Sequence, residues 1–526
     1  MRSWIRPAAL CPLLAAIAAA GALFLPWDRL LEFLASRFNT VRAARPDFEK
    51  GFLIFRGALL LNAAFLAALP HLLRRLALAP GGPTFVPRDD RVPALLLGLA
   101  ALTASAPGLG LSFQDDEWRA FEVYVRHGPF VILTRNLEGD NHLLYSLLAW
   151  PFAAAFGFTE FAARAPAFLL GALAPPLLYL HLRRRRPRPE AFLAALPLAA
   201  FPFLVGYSAE GRAYAPLFST FLLLALLQRP ALEGSRRAWT AYVAAATAAP
   251  ALQVFGAVGV VALAAGAFAD PAFRGPAPRA RNLAALAVAG SLSILLHSFH
   301  VPALMTASSA SRPWGPVLPA FEELFPGLAA APLTPVLLVP FAAAAAWGAV
   351  RGAPGPAMSA ATLSAFVLQW IVGQLAGPGQ GIRFFTPALA FAAVLVGEGL
   401  AAALARPALG GTLAGAILAV SLAADVDALR TGKRDYRTAA ADLRARRRPG
   451  ETLGLLFDGR PLAHYLRESV PILATHEVAA RRPDWFVAVD VNIPADSALR
   501  RWLDAECELV ARHPSFRGTI LAYRRR

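Results

Sequence analysis

Thirteen apolar runs dominate this chain, most of them close to the roughly 20 residues a helix needs to cross a hydrocarbon core. They fall at residues 7–25, 52–70, 92–111, 161–182, 191–207, 213–227, 239–253, 256–269, 283–303, 333–350, 358–375, 384–404 and 411–424. Lipid offers backbone polar groups no partner, so each run must satisfy its own hydrogen bonds and reads as a helix. Composition agrees: 57% of the 526 residues are hydrophobic and 16% charged, against about 25% charged in soluble domains. The expected fold class is an α-helical polytopic membrane protein of about thirteen spans.

The placement of charge orients these spans. The net charge is +17, carried almost entirely by arginine, with Lys50 and Lys433 the only lysines. Arg74, Arg75, Arg88 and Arg91 share one connection, and Arg183–Arg186 with Arg188 another. Arg229, Arg236 and Arg237 form a third group, Arg274, Arg279 and Arg281 a fourth, and Arg351 and Arg406 mark two more. With the spans above, all six connections lie on one side together with Arg2 and Arg6. The positive-inside rule makes that side, and the N-terminus, cytoplasmic. The connection 26–51 disagrees: it counts as outer yet holds Arg29, Arg37, Arg42 and Arg45. Scattered over short loops without an aromatic-basic platform, the arginines exclude a nucleic-acid surface and leave membrane lipids as partners. Cys11 and Cys507 are too far apart in the pattern to suggest a disulfide or a metal knuckle. The first run lacks a small-x-small cleavage site and reads as an uncleaved span.

Residues 112–141 interrupt the apolar pattern with Asp115-Asp116-Glu117-Trp118-Arg119. Charge beside the hydrocarbon slab is costly to desolvate, so such a cluster is a functional hypothesis by default. By the span count it faces outward, as do 208–212, 304–332 and 376–383. Residues 118–126 and 143–156 read as helices lying along the outer interface. After residue 424 the composition turns polar. A helix is expected at 436–447 and strands at 452–457, 485–490 and 519–523, which makes a small extracytoplasmic α/β domain.

An outward cavity holding acids and arginines at the lipid–water boundary suits a lipid-linked phosphate sugar. A carboxylate there can deprotonate an acceptor hydroxyl. The planar donor fork of arginine matches the oxygens of a departing phosphate. A transporter or flippase for the same lipid is the alternative, since it would use a charged cavity without a base; the one-sided acids and the lack of a clear internal repeat weigh against it.

Several phrases carry a resemblance. They are Asp116-Glu117-Trp118-Arg119; Asn141-His142-Leu143-Leu144-Tyr145-Ser146; Glu160-Phe161-Ala162-Ala163-Arg164-Ala165-Pro166; Tyr207-Ser208-Ala209-Glu210-Gly211-Arg212-Ala213-Tyr214-Ala215; Arg383-Phe384-Phe385-Thr386-Pro387; and Asp435-Tyr436-Arg437. In order and spacing they resemble the GT-C membrane glycosyltransferases, nearest the protein O-mannosyltransferase and aminoarabinose transferase group. The chain departs by two extra spans before residue 92, by Leu143-Leu144 where prolines are common, and by Gln253-Val254-Phe255 in place of a His-Tyr-Phe phrase.

The resemblance implies a GT-C domain at 92–424, preceded by two extra spans and a cytoplasmic loop at 1–91 and followed by a periplasmic domain at 425–526. It implies Asp116 as catalytic base and Glu117 as its assistant or as a contact to the acceptor. Arg119, His142, Glu210, Arg212 and Arg383 become contacts to phosphate or sugar, while Tyr214 reads as packing. Activity would be transfer from a polyprenyl-phosphate sugar donor to a lipid, glycan or protein acceptor at a bacterial inner membrane. No cofactor is expected. His297 and His300 share a helix face and Glu322-Glu323 follow, but this spacing is no metal signature, and the resemblance leaves metal need open.

Overall fold

The computed structural model describes residues 5–37, 45–79, 87–136, 140–302, 333–352, 354–376, 382–431, 434–456, 460–467, 470–471, 473, 475–490, 493, 497–514 and 519–526. Each of the thirteen apolar runs is helical in it. Among the described residues, eight helices are long and apolar enough to cross a membrane, or ten if each of two bent pairs counts as one span. The chain is a multi-pass membrane protein on this evidence. The other three runs are the helices Arg236–Leu252, Gly256–Ala269 and Leu333–Arg351. At 1.5 Å per residue, the 14 residues of Gly256–Ala269 extend about 21 Å, short of a core of about 30 Å.

The connection expected at 26–51 is largely helix. Trp27–Arg37 bends away from the first span by 78°, and the second helix already starts at Arg45. Trp27, Leu31, Phe48 and Phe52 pack there with Phe130 and Phe299. The expected connection 304–332, with Glu322 and Glu323, lies outside the described residues, as does Glu138.

Tyr214–Glu233 runs through the centre of the bundle with 83% of its apolar window buried. Its Leu217, Phe218, Phe221 and Leu224 join the main core. Close helix approach uses small residues, as is usual where lipid removes the hydrophobic drive between helices. A Cβ at Gly399 would lie 1.8 Å from the carbonyl oxygen of Ala344, and one at Gly348 1.9 Å from that of Leu395. The helices Leu333–Arg351 and Thr386–Leu404 therefore touch backbone to backbone.

The basic connections do meet at one end of the bundle. Asp90 pairs with Arg183 at 3.0 Å and Arg188 at 3.5 Å. Glu398 pairs with Arg185 at 3.2 Å and Arg186 at 3.7 Å. Arg281 donates to the carbonyls of Leu76 and Leu232, both at 2.8 Å.

At the opposite end sits a four-stranded sheet: β1 Leu453–Leu455, β2 Trp485–Val489, β3 Cys507–His513 and β4 Ile520–Arg525, in the order β1-β2-β4-β3. β1 and β2 are parallel; β2 with β4 and β4 with β3 are antiparallel. Alternation divides β2 between two cores. Trp485, Val487 and Val489 meet the helix Tyr436–Arg446 on one face, and Phe486 and Ala488 meet Leu499, Trp502 and Leu503 on the other. Three strands and the helix lie where the sequence suggests; β3 was not expected.

Candidate active site

The acidic stretch folds into the helix Asp115–Val123, with all three acids in its first turn. Unpaired amides and the helix dipole favour negative charge there. From this shared start Asp116 and Glu117 point to different places.

Asp116 is partly exposed and gathers three guanidiniums. Its Oδ2 accepts from Arg383 Nη1 at 3.1 Å and lies 3.4 Å from Arg212 Nη1. Its Oδ1 lies 3.6 Å from Arg119 Nη2, and Arg119 also pairs with Asp140. Arg212 arrives from the bend after Pro202–Ser208, and Arg383 from the turn opening Thr386–Leu404. Only 13% of the Asp140 side chain is exposed, held against Arg119.

Tyr214 is the platform under this cluster. The guanidinium carbons of Arg212 and Arg383 stand 5.7 Å and 5.9 Å from its ring centre, within the range of cation–π attraction. Arg212 Nη2 also reaches its hydroxyl at 3.4 Å. The His142 ring stands edge-on at 5.6 Å. Burial first, and the nearby charges of Arg212 and Arg383 second, hold the His142 imidazole well below its ordinary value, so it is neutral at pH 7. Among the described residues, no hydrogen-bond partner meets Arg212 Nε, Arg383 Nε or His142 Nε2, all buried.

Glu117 turns away from Asp116 and is fully buried. Arg164 Nε and Nη2 each donate to it at 2.7 Å, one to either oxygen. The amide of Gly211 donates to Oε1 at 2.6 Å, and that of Gln114 to Oε2 at 3.2 Å. Arg164 continues to the carbonyls of Gly108, Leu109, Leu111 and Ser112. Both Glu117 oxygens are thus occupied and shut off from solvent.

The structure therefore brings Asp116, Arg119, His142, Arg212 and Arg383 together and sets Glu117 apart. Glu210 is buried beside them, its carbonyl accepting from the amide of Arg212 at 2.7 Å. The sequence assigns no role to Arg164 and only packing to Tyr214. A lone arginine inside an otherwise apolar span was the available signal for the first. Among the described residues, no group of three or more His, Cys, Asp or Glu is placed to hold a metal ion.

The pattern of the dolichyl-phosphate-mannose-protein mannosyltransferase family matches residues 140–297. This segment includes His142, Arg164, Glu210, Arg212 and Tyr214. No curated protein matches the chain in sequence. Among solved structures, ArnT from Cupriavidus metallidurans bound to undecaprenyl phosphate superposes with a TM-score of 0.51 at 15% identity. The match covers 81% of this chain and 97% of that one. The apo state of the same ArnT gives a TM-score of 0.50 at 14% identity, with the same coverage. The chain is thus similar in fold to ArnT and, over residues 140–297, in sequence pattern to the mannosyltransferase family.

Proposed function

We propose that the chain transfers a sugar from a polyprenyl-phosphate-linked donor to a hydroxyl-bearing acceptor at the outer face of a bacterial inner membrane. The observation that carries this reading is the convergence of Arg212 and Arg383 on Asp116 over the Tyr214 ring. Two fixed cations beside one carboxylate match a reaction that removes a proton at one point and leaves an anion at another. The likeness to an ArnT bound to undecaprenyl phosphate and the matched mannosyltransferase pattern support the donor class.

In this reading the acceptor hydroxyl sits against Asp116, which takes its proton as the oxygen attacks the anomeric carbon. The bond from that carbon to the phosphate oxygen breaks, with inversion at the carbon. The electron pair leaves with the phosphate, and its charge falls to Arg212 and Arg383. Their buried N–H groups are preorganised for it, so little rearrangement opposes the step. Neutral His142 adds a polar contact without another charge. Arg119 is tied to Asp140 and orients Asp116. Glu117 with Arg164 fixes the loop. The acceptor is a lipid, glycan or protein, with the sheet domain standing over the same end of the bundle.

The test is a purified chain incubated with a panel of undecaprenyl-phosphate-linked sugars and an envelope extract, with mass spectrometry of free undecaprenyl phosphate and of sugar-bearing products. Release of undecaprenyl phosphate coupled to a new glycosylated product supports the reading. Movement of an intact donor across vesicles without cleavage would replace it with a flippase.

A further inference from the structure

The backbone leading into the acid helix is gripped from two sides. From the bundle, Arg164 holds the carbonyls of Gly108, Leu109, Leu111 and Ser112. From the sheet domain come the rest. The amide of Phe113 donates to the Tyr465 hydroxyl at 2.7 Å, and that hydroxyl donates onward to Glu160 at 2.5 Å. Arg437 completes the chain, reaching Glu160 and the carbonyl of Gly110 at 3.3 Å. Ser112 Oγ donates to the carbonyl of Arg434 at 2.8 Å and accepts from the amide of Tyr436 at 3.1 Å. The ring of His464 stands edge-on to Phe113 at 5.6 Å and to Phe158 at 5.2 Å.

Phe113 stands three residues before Asp116, so an amide fixed by Tyr465 fixes the entry to the helix that carries the carboxylate. The hydroxyl is part-buried, and burial with the adjoining Glu160 holds the Tyr465 phenol above its ordinary value. It therefore stays protonated and can accept from Phe113 while donating to Glu160.

We propose that Tyr465 is a positioning residue for Asp116, and that docking of the C-terminal domain through the Phe113–Tyr465–Glu160–Arg437 chain completes the active site. This rests on Asp116 being the base. Without the Tyr465 hydroxyl, the loop keeps its grip on Arg164 but loses its fixed approach to Asp116. Misplacement by about 1 Å can lower turnover by about a hundredfold.

The test is Tyr465→Phe in the full-length chain, which keeps the ring against His464 and removes one oxygen. Hydrogen exchange over residues 111–119 is expected to rise about tenfold or more, with β1 and β2 unchanged. Turnover of the undecaprenyl-phosphate sugar panel is expected to fall ten- to a hundredfold, with KM for the donor and binding of undecaprenyl phosphate within about twofold of wild type. Unchanged exchange at 111–119 would show that the hydroxyl does not hold the loop. Raised exchange with unchanged turnover would show that the loop does not position the base. Turnover and undecaprenyl phosphate binding falling together, in step with lost folded protein, would reduce Tyr465 to a structural role. A wild-type chain that cleaves no donor would overturn the transferase reading and this proposal's catalytic half with it; the exchange measurement would still decide the clamp.

Discussion

Arg164 and Glu117 meet through two hydrogen bonds of 2.7 Å with neither side chain exposed to solvent. A buried ion pair adds little stability over an apolar pair, but removing one partner leaves an uncompensated charge. Arg164→Ala is therefore expected to destabilise the chain by about 3–5 kcal/mol, and Arg164→Lys to recover only part of that because ammonium lacks the fork. A thermal unfolding series in one detergent checks this. Turnover per folded molecule should also drop, because the carbonyls held by Arg164 lead directly into Asp116.

Gly211 shows how tight this junction is. A Cβ at that position would lie 2.8 Å from Glu117 Oε1 and 3.2 Å from Ala163 Cβ. Gly211→Ala is expected to cost about 1–3 kcal/mol, the range for overpacking, and to lower turnover more than stability accounts for. A variant of wild-type stability and turnover would mean the Glu117 junction yields freely.

The two cations over Tyr214 make a separable prediction. Each charge-assisted hydrogen bond contributes about 1.5–3 kcal/mol, so Arg383→Ala and Arg212→Ala should each weaken undecaprenyl phosphate binding by roughly 10- to 100-fold. Arg383→Lys should restore little, since a point charge cannot copy a planar fork. Tyr214→Phe keeps the ring face and should stay within about threefold, while Tyr214→Ala should approach the arginine variants. Isothermal titration with undecaprenyl phosphate in detergent reads all five.

His142 sets a pH dependence. Its folded value lies well below 6.5, so below pH about 6.5 the unfolded chain binds a proton that the folded chain refuses. Stability must then fall with pH, by up to about 1.4 kcal/mol per unit from this residue between pH 6.5 and its folded value. His142→Gln should flatten the decline of the unfolding temperature between pH 7 and 5. An unchanged slope would show that His142 is charged in the folded chain.

Much of this architecture was legible from hydropathy because span length is a physical requirement of the bilayer. All thirteen runs became helices, and the arginine-bearing connections gathered at one end. The exceptions have local causes. Trp27–Arg37 falls in an expected connection because its polar residues break the apolar run, yet it is an amphipathic helix packed on Phe48 and Phe52. β3 escaped notice because a bulge between Leu509 and Ala511 breaks its alternation. In the site, Asp116 and Arg383 were legible as members of separate phrases, but no local pattern could state that residues 267 apart would pair at 3.1 Å. Adjacent acids looked equivalent in sequence. Only the fold separates Asp116, which faces the arginines, from Glu117, which faces Arg164. Tyr214 passed as packing because ring contact and cation–π contact share one sequence signature.

The central claim is that Asp116 receives the acceptor proton. Asp116→Asn preserves volume and helix position while removing basicity. The direct measurement is its turnover of the undecaprenyl-phosphate sugar panel beside its binding of undecaprenyl phosphate and its unfolding temperature. Loss of turnover by about a hundredfold or more, with binding and unfolding temperature retained, is the predicted result. Turnover close to wild type in a folded, lipid-binding Asp116→Asn chain would contradict it.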